Sequence, residues 1–260
     1  MSQAARSERT TPRVALVTGA SGGVGRGIAL ACAAASWRVW IAARRAQEGE
    51  AVAREVDSAG GAGRFVACDV ADGDSVARAI AAVLARDGRL DALAHNATSA
   101  LSPKPTSLRD VSLAEVQDHV AVSLRGAYSL ARAAHAPLRD SRGAYLLLTS
   151  EAGFEGKARL PVYAAVKAAQ RGFARALARE WGAHGIRVNC LAPLAASPAL
   201  ERAFALDPAM QTRVLGRLPL GALGDPLADV GAAARFLLSD DARYVTGHTL
   251  MADGGSCPVT

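Results

Sequence analysis

Long apolar runs are missing from this chain: the longest, IALACAAA after Gly27, is far too short to span a bilayer. The opening MSQAARSERTTPR has no apolar stretch behind its charges and does not read as a secretion signal. Residues 1–11 are expected to be a disordered tail on a cytoplasmic protein. Cysteine is sparse, at positions 32, 68, 190 and 257, with no Cys-x-x-Cys. That excludes a disulfide framework and leaves reduced packing residues. Five histidines at 95, 119, 135, 184 and 248 form no cluster in the sequence, and no metal is implied; only His95 is placed to touch an active-site cleft. Aromatics make up 5% of the residues and interleave no basic block. The net charge of +6 therefore reads as solvated faces, with no nucleic-acid partner expected and a mild attraction for phosphorylated or acidic ligands. Lysine is the scarcest charge, with Lys104, Lys157 and Lys167 set against 27 arginines.

What remains is enough for one sizeable core. At 260 residues a chain can bury roughly 70–75% of its unfolded surface without staples. Strand-like apolar runs fall at 13–18, 38–43, 64–68, 90–95, 144–149, 186–191 and 248–252. Helical patterns lie between them at 24–36, 46–58, 74–87, 112–135, 161–183 and 226–238. Strands separated by helices predict an α/β, doubly wound, Rossmann-type fold. Its seven-stranded parallel sheet carries helices on both faces, in one domain over 12–260. The runs are continuous and not alternating, as strands covered on both faces require. Ser112 and Glu115 have capping-box spacing. Residues 193–225 are punctuated by Pro and Gly and hold two short helix candidates. The portion at about 194–222 is expected to be an apolar substrate lid, a packed surface excursion being the alternative.

Three features carry chemistry. After the first strand, Thr18 to Gly25 reads TGASGGVG. Gly19, Gly23 and Gly25 let the backbone turn and approach a pyrophosphate at a helix N-terminus, with Ser21 and Val24 beside it; a tight turn alone is the bland alternative. The second strand ends Ala42-Ala43-Arg44-Arg45, with no acid to hold an unphosphorylated adenosine ribose. Arginine can instead fork onto a 2′-phosphate, so NADP(H) is preferred, with NAD(H) the alternative and a solvated helix start the competing account. Tyr163 and Lys167, four apart behind Pro161, share one helix face. An ammonium about 6 Å from a phenol favours the phenolate by roughly 2–3 kcal/mol at an effective dielectric of about 20. Chance spacing is the alternative.

Taken together, these motifs resemble the short-chain dehydrogenase/reductase family, single-domain subgroup, over residues 12–256. The resemblance rests on TGASGGVG at 18–25, CDV at 68–70, HNA at 95–97, Ser150 with Tyr163 and Lys167, RVNCLAP at 187–193 and YVTGHTLMADGG at 244–255. It implies that Tyr163 is the general acid and that Lys167 lowers its pKa and bonds the nicotinamide ribose. Ser150 would hold the substrate oxygen. Asp69 and Val70 would border the adenine, Asn96 the ribose, and Pro193 the nicotinamide side. Three positions depart from the family pattern. Ser123 stands where the family has the Asn of a water-mediated proton relay, Thr98 follows His95-Asn96-Ala97, and Leu194 follows Pro193. Ser197 stands near where a cofactor-contacting Thr is common.

The expected activity is an NADP(H)-dependent oxidoreductase moving hydride between nicotinamide and a ketone or secondary alcohol, of 3-oxoacyl or polyketide type. The substrate is a small-molecule carbonyl, carrier-bound acyl chains included, with no membrane partner. By analogy the protein is a homo-oligomer, dimer or tetramer, through 112–135 and 161–183. The rival reading is a dinucleotide-binding sensor or assembly partner with weak or no catalysis. A sugar-nucleotide epimerase shares Tyr-x-x-x-Lys but needs a larger C-terminal region.

Overall fold

β1 (Val14–Thr18) shows why the apolar runs do not alternate. Its residues are buried on both sides, with Val14 and Leu16 in one core cluster and Ala15 and Val17 in the other. β5 (Ala144–Leu148) repeats the division: Tyr145 and Leu147 face one way, Ala144, Leu146 and Leu148 the other. Each face of the sheet thus meets its own helix layer.

The computed structural model describes residues 11–102, 104–197, 200–201, 204–205 and 207–257. The expected tail lies outside these residues apart from Thr11, whose hydroxyl accepts from Arg89 at 3.2 Å. The remaining strands are β2 (Arg38–Ala43), β3 (Ala62–Ala67), β4 (Ala92–His95), β6 (Arg187–Pro193) and β7 (Thr249–Ala252). All pair in parallel in the order β3-β2-β1-β4-β5-β6-β7. Thr18 at the end of β1 lies in register with Ala42 on one side and His95 on the other. The order reverses between β1 and β4, which opens a ligand crevice at their carboxyl ends.

One layer holds α3 (Gly73–Asp87), α5 (Gly126–Ser141) and α7 (Pro161–Trp181), through residues such as Val76, Leu130 and Ala174. The other holds α1 (Gly23–Ala33), α2 (Ala46–Ser58) and α9 (Ala232–Leu238), through Ile28, Val52 and Leu237. The short helices α6 (Ala152–Glu155) and α8 (Pro208–Leu215) lie outside these layers. Among the described residues no helix is long and apolar enough to cross a membrane.

α4 (Leu113–His119) starts at the expected capping box, with Glu115 N–H donating to Ser112 Oγ at 3.2 Å and Ser112 N–H to Glu115 at 2.8 Å. The 112–135 pattern runs on to Ser141 and is not regular: a wider π-type turn, Val120–Arg125, joins α4 to α5. Such a turn shifts carbonyls off the helical ladder and leaves them for other donors. A second one, Pro226–Gly231, leads into α9. The four cysteines are buried and free, as packing residues should be. His135 and His184, expected to stand apart, pair side chain to side chain at 3.1 Å beside Trp181.

Candidate functional site

A cavity of about 710 Å³ opens where β1, β4, β5 and β6 end. All the sequence-derived site residues line it except Gly23 and Gly25. Those two shape the turn behind the wall. A Cβ on Gly25 would lie 2.5 Å from the Gly19 carbonyl oxygen and 2.6 Å from Asn96 Nδ2, and Gly19 itself has φ +64°. The close approach is needed because Asn96 Nδ2 donates to the carbonyls of Thr18 and Gly19, at 3.2 and 3.0 Å. Asn96 therefore ties down the glycine turn as well as lining the cavity. α1 then begins with no side-chain cap and no acid in its first turn, which leaves its N–H groups and dipole to an anion. A turn tight enough to exclude a Cβ, opening onto an uncapped helix, fits the pyrophosphate of a dinucleotide.

Just beyond β2, Arg45 donates to Ser21 Oγ at 3.0 Å and pairs with Glu48 at 3.1 Å. Arg44 is exposed and has no ion-pair partner among the described residues. Asp69 accepts from Ala71 N–H at 3.0 Å, closing the turn that presents buried Val70.

His95 is wholly buried and stands behind the cleft, not in it. Its Nε2 lies 3.2 Å from the Ser123 carbonyl, and its Nδ1 3.1 Å from Thr18 Oγ1. A carbonyl can only accept, so Nε2 carries the proton and Nδ1 accepts from the threonine. Burial, with Lys167 nearby, holds the ring down to about 4, so it is neutral. The Thr18 oxygen in turn accepts from the N–H groups of Asn96 and Ala97, both at 3.2 Å. This chain pins the loop after β4 to the end of β1.

Ser150 follows β5 and accepts from Ala152 N–H at 3.2 Å. Tyr163, in the first turn of α7, is partly buried and faces the same cavity. Burial raises its pKa, and a hydrogen bond with Ser150 opposes the rise. The expected lowering by Lys167 is not found. The lysine ammonium lies 5.7 Å from the ring centroid, while it donates to the Leu148 carbonyl at 2.7 Å and to Gln170 Oε1 at 3.1 Å. Its own pKa is drawn down by burial to about 8. Gln170 Nε2 completes the network on the Ser123 carbonyl at 3.0 Å, one of the carbonyls in the π-type turn.

Sequence reasoning passed over Gln170, although three positions after Lys167 is the same helix face. It also passed over Glu151, beside Ser150, and Lys157, which forms an ion pair with it inside the cavity wall. Of the expected lid, Leu194, Ser197, Leu200, Met210 and Val214 line the cavity; residues 198, 199, 202, 203 and 206 lie outside the described residues. Thr98 also faces the cavity, whereas Ser123 is buried behind it.

Comparisons with known proteins agree with this layout. The profile of a family described as enoyl-(acyl carrier protein) reductase matches residues 19–257. A D-threitol dehydrogenase from Mycolicibacterium smegmatis is 34% identical, covering 95% of this chain and 94% of its own length. A 3-oxoacyl-[acyl-carrier-protein] reductase from Staphylococcus aureus is 33% identical, at 93% and 96% coverage. Among solved structures, a short-chain type dehydrogenase/reductase from Mycobacterium ulcerans superposes with a TM-score of 0.88 at 29% identity, covering 94% of this chain and 89% of that one. With its seven parallel strands, glycine turn and serine–tyrosine–lysine cleft, the chain belongs to the short-chain dehydrogenase/reductase family of oxidoreductases.

Proposed function

We propose that the protein is an NADP(H)-dependent reductase acting between nicotinamide and a ketone or secondary alcohol. One observation carries this reading: the Ser150 hydroxyl, the Tyr163 phenol and the Lys167 side chain share a cavity with the glycine turn and with Arg44 and Arg45. Bound NADPH supplies hydride to the carbonyl carbon. The N-terminus of α1 binds the pyrophosphate, and Arg44 and Arg45 hold the 2′-phosphate by charge-assisted hydrogen bonds. Asp69 and Val70 border the adenine, while Asn96 and Pro193 lie along the ribose and nicotinamide. Ser150 holds the carbonyl oxygen, and Tyr163 gives that oxygen its phenolic proton as hydride arrives, leaving an alcohol and a phenolate. A tyrosine whose pKa is raised is protonated at neutral pH, as a donor in the reduction direction must be. Lys167 keeps positive charge near the phenolate and binds the nicotinamide ribose.

The wall formed by Leu194, Leu200, Met210 and Val214 is apolar and suits the body of an acyl or polyketide-type carbonyl, with 194–222 acting as its cover. Exposed Val120 and Tyr128 on the α4–α5 face suit a homo-oligomeric contact. The test is a carbonyl panel with purified protein, following oxidation of NADPH and NADH in parallel, with Tyr163→Phe as control. Turnover that survives this substitution rejects the mechanism. A second reading, a dinucleotide-binding protein with little catalysis, is favoured by the engagement of Lys167 with Leu148 and Gln170; NADPH binding without turnover of any carbonyl would select it.

A further inference from the structure

We propose that Glu151 and Lys157 form a binding site for a hydroxyl group on the carbon next to the reacting one. The substrate class is then an α-hydroxy ketone or, in the oxidative direction, a vicinal diol. The proposal rests on the hydride-transfer reading above and narrows its substrate.

Glu151 is 4% exposed and still forms part of the cavity wall. It follows Ser150 directly, so its Cα lies about 3.8 Å along the chain from that of the residue that holds the carbonyl oxygen. One carboxylate oxygen, Oε1, is taken by the Lys157 ammonium. The other, Oε2, is buried with no hydrogen-bond partner among the described residues. A carboxylate only accepts, so its partner must be a donor, an O–H or an N–H. Lys157 lines the same cavity with its side chain 28% exposed, and its ammonium has donors to spare after one ion pair. A hydroxyl answers both groups, donating to Oε2 and accepting from Nζ. A methylene beside the carbonyl answers neither and leaves the carboxylate oxygen as it was.

The pair is held in place. The Arg171 guanidinium lies 3.2 Å over the Phe154 ring and donates to the Gly153 carbonyl at 3.0 Å. Arg217 holds Glu155 at 2.5 Å. The segment from Glu151 to Lys157 is thus fixed from α7 on one side and from the region after α8 on the other. A preorganised polar site of this kind rejects an analogue that lacks the matching group far more strongly than an apolar pocket does. A plain 3-oxoacyl chain offers a methylene there, whereas an α-hydroxy ketone of polyol type offers the required donor.

The experiment uses the holoenzyme with NADPH and the matched pair 1-hydroxy-2-butanone and 2-butanone. The expected preference in kcat/KM for the hydroxy ketone is about 100-fold or more. Glu151→Gln, which keeps the shape and one acceptor, should reduce that ratio. Glu151→Ala should bring it to within about threefold of unity. A wild-type ratio near one, or a ratio that neither substitution alters, overturns the proposal. A second arm separates this failure from that of the hydride reading. Calorimetry on NADP+-loaded Tyr163→Phe compares 1,2-butanediol with 2-butanol, with and without Glu151→Ala. Diol-selective binding lost with Glu151 supports the site even where no carbonyl is turned over; equal binding of the two alcohols overturns it. A loss of NADPH affinity in Glu151→Ala matching the loss of substrate preference would assign Oε2 to the nicotinamide carboxamide and also overturn the proposal.

Discussion

Lys167 donates from Nζ to Gln170 Oε1 at 3.1 Å, a bond made within one face of α7 and wholly inside the protein. Gln170 passes the connection on to the Ser123 carbonyl, and His95 reaches the same oxygen. The Leu148 carbonyl at the end of β5 and Gln170 on α7, itself anchored on the π-type turn, therefore set where the lysine points. The Leu148 carbonyl and the Gln170 amide oxygen are neutral acceptors, so they hold the ammonium without neutralising it, which keeps its charge available to the cleft.

This arrangement sets a pH dependence. Burial lowers the Lys167 pKa from 10.5 to about 8, so the ammonium is complete below that value and is lost as pH rises through it. In the free enzyme, kcat/KM for reduction should fall above about pH 8. Tyr163 is not the cause of that limb, because its pKa is raised from 10.0. Gln170→Leu removes an acceptor that favours the charged lysine. A hydrogen bond to a charged group is worth about 1.5–3 kcal/mol, so the alkaline limb should move down by about one to two units. A pH profile that does not move in the variant would separate Gln170 from the lysine.

Replacing Tyr163 by Phe tests proton donation directly. The phenol oxygen is lost while the ring and its packing stay, so kcat for ketone reduction should drop by about 10²- to 10⁴-fold. NADPH affinity, read by fluorescence titration, should stay within about twofold, since a proton donor acts on the reaction rather than on uniform binding. A similar loss in both quantities would mean that Tyr163 serves the fold of the cleft.

The two arginines after β2 should be separable by their partners. Arg44 has no ion pair among the described residues, whereas Arg45 is shared between Ser21 and Glu48. Arg44→Ala should raise the Kd for NADPH by about tenfold, one charge-assisted contact of about 1.4 kcal/mol, and leave NADH unchanged. Glu48→Gln releases Arg45 and removes a negative charge near the phosphate, so it should tighten NADPH binding severalfold. Parallel titrations with both cofactors decide; equal effects on NADPH and NADH would remove the 2′-phosphate from this corner.

Much of the fold is legible in the sequence because burial on both faces of a parallel sheet gives unbroken apolar runs. β2 and α2 fall on the expected residues, 38–43 and 46–58. The capping box is equally readable, since Ser112 and Glu115 bond within one turn. The two π-type turns are not, because an inserted residue shifts a helix face without breaking its polar–apolar pattern. The Tyr163–Lys167 spacing predicts a shared face but not the rotamer of a long side chain, which is set by the Leu148 carbonyl and Gln170. Gln170 looks like an ordinary polar helix residue until the Ser123 carbonyl turns toward it. Glycine spacing likewise marks where the backbone must turn, not which glycine faces the ligand; Gly19 is in the cavity wall and Gly25 is behind it. Glu151 and Lys157 flank the single turn of α6 and the Gly156 bend that ends it, a stretch too short for a period to relate them.

Gly25→Ala tests the glycine turn as a packing constraint. The new Cβ would press on Gly19 O at 2.5 Å and Asn96 Nδ2 at 2.6 Å, and the former is backbone that cannot rotate away. Overpacking of this kind costs about 1–3 kcal/mol. Thermal unfolding should move down by several degrees, and NADPH affinity should fall as the turn is pushed off its position. Unchanged binding in a folded variant would mean that the turn tolerates the displacement and does not place the phosphates.

Ser123 occupies the position at which the resemblance to the family leads one to expect an asparagine. Its residue is wholly buried, its hydroxyl has no hydrogen-bond partner among the described residues, and its carbonyl accepts from both Gln170 and His95. The backbone is thus what this position contributes to the network, while the side chain carries an uncompensated polar atom. Removing an unsatisfied buried hydroxyl recovers desolvation free energy of about 1 kcal/mol or more, less a small loss of packing. Ser123→Ala should therefore raise the unfolding midpoint by about 2–4 °C for each kcal/mol recovered in a chain of this size. The carbonyl stays in place, so the alkaline limb set by Lys167 should also stay. If protons pass through the Ser123 hydroxyl instead, the variant will be as stable as expected and slower in turnover. A variant that is less stable would show that the hydroxyl has a partner in solution, and that the network extends one group further than its carbonyl.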